Sequence, residues 1–231
     1  VAAETDALGG GTGGSDRLTL EFPDVESLQD LGTFAGRART LMEQGSMRLQ
    51  AHGSVLAAWV CVLPGRGLVG QGVVLGLRTM PLASVHGAPG LDVTVPLSAI
   101  GDRMARRTST GDIGTLLPVP PMQVSEPWTA LTPARSGWEQ VGAVPADELL
   151  EVARDGIAEI SEGAPTGSGA LAVTALRERV WGRSITDGGL RAGVGLAAYG
   201  LGFARPGSTV DIFRAGPWTR ATTPVGHILT R

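Results

Sequence analysis

An α+β fold is predicted in two parts. Residues 17–110 form a mostly antiparallel sheet with helices on one face, and residues 136–231 form three helices plus a β-hairpin. Three observations predict it. Through the first hundred residues, strand-like alternation and helical periodicity follow the order β-α-β-β-β-β-α. Beyond Pro145 three helical patterns run in series, then two strand-like runs meet across Ala215-Gly216-Pro217. Between them Pro118, Pro120, Pro121, Pro127 and Pro133 exclude regular helix and central strand, so residues 111–135 read as a connector.

Residues 1–16 carry glycine at positions 9, 10, 11, 13 and 14 without periodicity and read as a flexible tail. Arg17–Phe22 alternates as a strand. Pro23-Asp24 opens a helix to about Glu43, with Leu28, Leu31, Phe34, Ala35, Ala38 and Leu41 as its buried stripe. Ser46–Ala51 and Val55–Leu63 form a hairpin turning at His52-Gly53-Ser54. Its second strand is apolar on both faces, which suits a central position. Leu68–Leu77 reads as a glycine-interrupted strand, 78–90 as loop, Leu91–Val95 as a short strand, and Pro96 starts a helix to about Arg107.

The connector contains Leu116, Leu117, Val119, Met122, Val124 and Trp128, side chains able to pack across both halves. Val141–Val144 then precedes a helix opened by Pro145, with Leu149, Val152, Ala153, Ile157 and Ile160 inward and Gly163 as its stop. A second helix takes Ser168 as N-cap and ends at Gly182. The third, about Leu190 to Leu201, is nearly devoid of polar groups and contains Gly193, Gly195 and Gly200. Each interior glycine costs about 1 kcal/mol relative to alanine, so this helix needs close neighbours on most sides. Thr209–Arg214 and Trp218–Thr223 pair as a hairpin, and Gly226–Thr230 adds a third strand.

Three helices and a hairpin is the element order of a winged helix, a DNA-binding module. That order is an analogy of fold and carries no function. A recognition helix presents polar groups to base edges, whereas the third helix here presents glycine, alanine and leucine. The preceding acidic face of Asp147, Glu148, Glu151, Asp155 and Glu159 would repel phosphates.

With 231 residues, 42% of them hydrophobic and 18% charged, the chain can bury a sizeable core. A net charge of −3 provides no electrostatic footprint for nucleic acid or an anionic membrane. All 19 basic residues are arginine, and lysine and asparagine are absent, as in products of high-GC genomes. Cys61 is the one cysteine, so no internal disulfide is available, and it reads as a buried small hydrophobe. No apolar run reaches the ~18 residues of a membrane span, and a cytoplasmic location is the default expectation.

No catalytic motif stands out. The histidines at 52, 86 and 227 lack metal-ligand spacing, so neither metal nor cofactor is expected. The glycines at 9–14 precede a strand and lack the lysine of a phosphate loop, and Gly193-x-Gly195 lies inside a helix. Two constellations remain as candidate ligand or partner sites. Arg103, Arg106 and Arg107 gather at one helix end, where they could clamp a small anion or simply meet the helix dipole in solvent. The second set pairs tryptophan with arginine: Arg135 with Trp138, Trp181 with Arg183, and Trp218 with Arg220. Both residue types are enriched at interface hot spots, and indoles also serve plain core packing.

Val74-Leu75-Gly76-Leu77-Arg78, Asp92-Val93-Thr94-Val95-Pro96-Leu97, Arg135-Ser136-Gly137-Trp138-Glu139 and Trp218-Thr219-Arg220 resemble segments of uncharacterised proteins of high-GC actinobacteria. The resemblance covers most of the chain outside the tail and implies no activity. The first functional expectation is a non-catalytic binding or assembly protein, with a protein partner or self-association ahead of nucleic acid. An enzyme acting on a small anionic substrate and a winged-helix DNA-binding protein are the alternatives.

Overall fold

The computed structural model describes residues 18–87, 90–164, 169–186 and 189–231. The glycine-rich segment 1–16 and the expected Ser168 cap lie outside the described residues. Strand β1 (Thr19–Glu21) leads into helix α1 (Val25–Leu41), whose Asp24 N-cap accepts from the Ser27 amide at 2.6 Å. Strands β2 (Ser46–His52) and β3 (Val55–Leu63) form the expected hairpin, with Gly53 at φ 59° in its turn. Then come β4 (Val74–Pro81), β5 (Ser84–His86), β6 (Leu91–Pro96), α2 (Leu97–Thr110) and β7 (Leu116–Pro118). A 3₁₀ turn at Pro127–Ala130 precedes β8 (Glu139–Pro145), α3 (Ala146–Gly163), α4 (Ala170–Trp181) and α5 (Ala192–Gly200). Strands β9 (Thr209–Ala215), β10 (Trp218–Thr223) and β11 (Gly226–Thr230) finish the described chain.

Eight of these strands form one antiparallel sheet in the order β6-β2-β3-β4-β11-β10-β9-β8, and β5-β1-β7 form a smaller one. Two meanders, β2-β3-β4 and β9-β10-β11, meet through their last strands, Val74–Leu77 against His227–Thr230. Because alternate residues of a strand face opposite sides, register decides what each face presents. One line crosses seven of the sheet's eight strands through Val95, Met47, Val60, Gly76, Ile228, Ala221 and Ile212. It faces the helices and belongs to the main core with Leu31, Phe34, Leu149, Val194 and Phe203. Gly76 leaves a gap in that line, which Leu201 fills so closely that a Cβ there would overlap its methyl.

The winged-helix reading is corrected by this topology. The β9–β10 hairpin lies inside the large sheet, bonded to β8 on one side and β11 on the other, so it is no free wing. Helix α5 is buried from Ala192 to Ala198. Its glycines admit Leu63 and Val74 at Gly193 and the Leu149 carbonyl at Gly195, the close neighbours that its sequence demands.

Two boundaries also move. Residues 68–73, expected as strand, form a tight loop with Gly67, Gly70 and Gly72 at φ 64°, 65° and 80°. Positive φ breaks the extended run, so β4 starts at Val74 and continues to Pro81, through residues expected as loop. The connector contains one short strand, β7, at the edge of the small sheet, where Pro118 lacks no ladder partner. Ile157, expected inward on α3, is exposed, and Gly156 takes the inward place against Trp181. Among the described residues, no helix is long and apolar enough to cross a membrane.

Candidate functional site

Among the described residues, no α-helix contributes to the cluster on the outer face of the large sheet. Residues 128–138, the end of the proline-rich connector and the three residues after it, cross that face instead and enclose a groove of about 530 Å³. Strand register builds its floor. One cross-strand row runs Arg48, Trp59, Leu77 and His227, and the next runs Cys61, Leu75, Leu229, Arg220 and Phe213. Cys61, Val73, Leu75, Trp218 and Leu229 form a second buried cluster beneath, with Trp59, Trp128, Leu131 and Trp138 packed on it. Burial pushes the Cys61 thiol up to about 12, with the Glu126 carboxylate adding to the shift.

The connector is fastened at both ends. Arg48 donates to the Thr129 carbonyl at 2.8 Å and grips Asp92 through two bonds of 2.7 Å. This pairing holds the Asp92 carboxyl below its usual range, and Gln50 adds a third bond at 3.0 Å. Leu131 presses on Gly70, whose missing Cβ makes room for it. The indole N–H of Trp138 donates to the Ala134 carbonyl at 2.9 Å. Arg220 lies with its guanidinium 4.5 Å from the Trp138 ring centre and 4.7 Å from that of Phe213, a double cation–π contact. Its Nε is buried without a hydrogen-bond partner, and desolvation lowers its pKa. Burial, then the Arg220 charge, lowers that of His227.

The residues singled out from sequence fall in three places. Arg135, Trp138 and Arg220 line the groove, and Trp218 is buried beneath it. The pairing by sequence proximity is corrected in part: Arg220 stacks on Trp138, not on Trp218. Trp181 is buried among the helices, and Arg183 makes bonds of 2.5 and 2.6 Å to Glu159 rather than meeting that indole. Arg103 and Arg107 turn toward the start of the connector. Arg103 donates to Pro118 and Ala99 carbonyls, and Arg107 to the Leu116 and Gly114 carbonyls and to Asp112. Arg106 is exposed beside them. Sequence reasoning missed Arg48, Trp59, Phe213 and His227 as a group. Their common face follows from register across six strands, β2 to β9 in sheet order, and only the alternation within each strand is local.

One further cluster resembles an enzyme relay. Ser84, His86 and Glu21 lie on paired strands β5 and β1, with contacts of 2.6, 2.8 and 2.9 Å. Both histidine contacts use the same nitrogen, Nε2, and Glu21 also accepts from Ser84. A relay needs the base held through one nitrogen while the other takes the proton, so this geometry ties two strands together. Among the described residues, no three His, Cys, Asp or Glu side chains gather as a metal site.

Two domain models match the chain: a domain of unknown function (DUF8010) over residues 15–128, and another (DUF8185) over residues 133–231. Together they support an uncharacterised family. No curated protein matches the sequence. Among solved structures, the β subunit of DNA polymerase III from Thermotoga maritima is similar, with 13% identity, a TM-score of 0.48, and coverage of 93% of this chain and 64% of that one. The DNA polymerase sliding clamp of Caulobacter crescentus follows at 14% identity, TM-score 0.46, and 93% and 65% coverage. That of Pseudomonas aeruginosa gives 13%, 0.44, and 93% and 63%. The chain spans less than two thirds of the length of each of these proteins.

Proposed function

We propose that the protein is a non-catalytic binding protein that holds a segment of a partner protein in the groove between the connector and the sheet. One observation carries this reading: Trp59, Trp128, Trp138 and the stacked Arg220 converge on one concave surface. Tryptophan and arginine dominate the energetics of protein interfaces because they combine large apolar area with directed polar groups. The connector supports the reading too, since a strap fixed by Arg48 and Leu131 presents a pre-formed groove and spares a partner part of the ordering cost.

The test is selection of a displayed random peptide library on the purified protein, followed by titration of the recovered peptides by tryptophan fluorescence. Peptides should be recovered that lose about tenfold or more in affinity on Trp138→Ala, the cost of one interface anchor. Arg183→Ala, on the helical side, should leave binding unchanged. Recovery of no peptide, or of peptides indifferent to Trp138→Ala, overturns the reading.

A further inference from the structure

The groove is rich in donors and short of acceptors. Among the described residues, four buried side-chain polar atoms lack a hydrogen-bond partner, and two of them, Trp59 Nε1 and Arg220 Nε, belong to groove-lining residues. A buried donor left without an acceptor costs about 1–3 kcal/mol, and these two stand on neighbouring cross-strand rows of one sheet face. Among the described residues that line it, the one carboxylate, Asp92, is already spent on Arg48 and Gln50. Arg220 has rings on both sides and forms none of the ion pairs of the described residues, while Arg135 adds an exposed cation at the rim. The remaining walls are apolar: Leu75, Leu77, Leu131 and Leu229 with the indoles.

The geometry points to a partner segment that is acidic and apolar together, with an aspartate or glutamate side chain accepting from Arg220 and an adjacent apolar side chain packed against Trp59 and Leu131. This rests on the binding role proposed above and names the chemistry of its partner. Charge complementarity sets the acid: among the described residues, the lining holds Arg48, Arg135 and Arg220 against Asp92, with His52 and His227 as further donors or acceptors. The doubly stacked guanidinium is already ordered, so a carboxylate meeting it loses little rotamer freedom on the protein side. A basic segment would be repelled by the Arg220 and Arg135 guanidiniums, and a purely apolar one would leave them without a counter-charge.

The experiment reads the composition of heptapeptides recovered from a library displayed internally, without a free carboxyl terminus. Peptides selected on the wild-type protein should be enriched in aspartate or glutamate beside an apolar residue. In a synthetic copy of one of them, with blocked ends, replacing the acid by its amide should weaken binding roughly 10- to 100-fold, the worth of a hydrogen bond to a charged group. The same replacement should cost no more than about threefold on Arg220→Met, as a double-mutant cycle requires of a direct pair. If that variant does not fold, the acid and amide peptides on the wild-type protein decide alone. Peptides that depend on Trp138 yet show no acid preference overturn this inference and leave the binding role standing. Binding that needs a free carboxyl terminus and ignores side-chain acids also overturns it. No groove-dependent peptide at all sinks the binding role itself.

Discussion

Single positions in this chain are decided by how much room their neighbours leave. Gly195 of α5 is the sharpest case: a Cβ there would lie 2.7 Å from the Leu149 carbonyl of α3, and backbone cannot step aside. We expect Gly195→Ala to destabilise by about 1–3 kcal/mol, as overpacking does, seen as a lowered urea midpoint. Gly36, in the interior of α1 with nothing within 4 Å of its would-be Cβ, should respond oppositely. Gly36→Ala should stabilise by about 1 kcal/mol through helix propensity. Cys61 supplies a pH-dependent counterpart. Its thiol titrates near 9 when free and at about 12 in the fold, so between those values the native state holds a proton that the unfolded chain has lost. Stability should be intact below pH 9 and fall as pH rises toward 12. Cys61→Ala should flatten that decline, measured by urea unfolding across the range. The crowding of α5 was legible, because an apolar helix with three glycines has to be surrounded. The partner of Arg220 was not, since Trp138 is eighty-two positions away and reaches it only through the β8–β9–β10 pairing.

Among the elements, the strap over the groove is held at a few named points, the Arg48 bond to the Thr129 carbonyl and the Leu131 contact at Gly70. Its fastening by Arg48 predicts that Arg48→Ala will loosen the 3₁₀ turn without melting the core. Hydrogen exchange at the Thr129 and Leu131 amides, which close that turn onto Glu126 and Trp128, should speed up. Exchange in α5 should stay slow, and equal acceleration in both would mean that the strap and the core open together. Most strands and all five described helices were legible from period and breakers, with the ends off by a few residues. The 68–81 region was not, because an apolar run studded with glycine looks the same whether the glycines are extended or adopt positive φ. The proline-dense stretch holds only the short strand β7 and the 3₁₀ turn. Proline density could not reveal that the segment roofs a groove, which depends on tertiary contacts of Trp128 and Leu131 with residues far earlier in the chain.

At the scale of the molecule, the large sheet runs unbroken from β6 to β8 and joins strands from both halves of the described chain. We therefore expect one cooperative unfolding transition, coincident by tryptophan fluorescence and far-UV circular dichroism. Two separated transitions would count against it. Ile228 lies at the junction, fully buried between Gly76 and Ala221. Ile228→Asp should cost more than about 3 kcal/mol by burying an unpaired charge, and protection should be lost on both sides of the junction.

The meeting of the two meanders through β4 and β11 has a kinetic side. Val74 and Thr230 are paired although the whole second half of the chain separates them, so this seam closes late and at a large loop-closure cost. Until it closes, β4 presents a bare apolar edge, Val74-Leu75-Gly76-Leu77, of the kind on which another chain can template. Refolding should be slow relative to helical proteins of this size, and its yield should fall as protein concentration rises. The aggregates should be seeded at β4, where a charge placed on the exposed Thr79 would act as a gatekeeper.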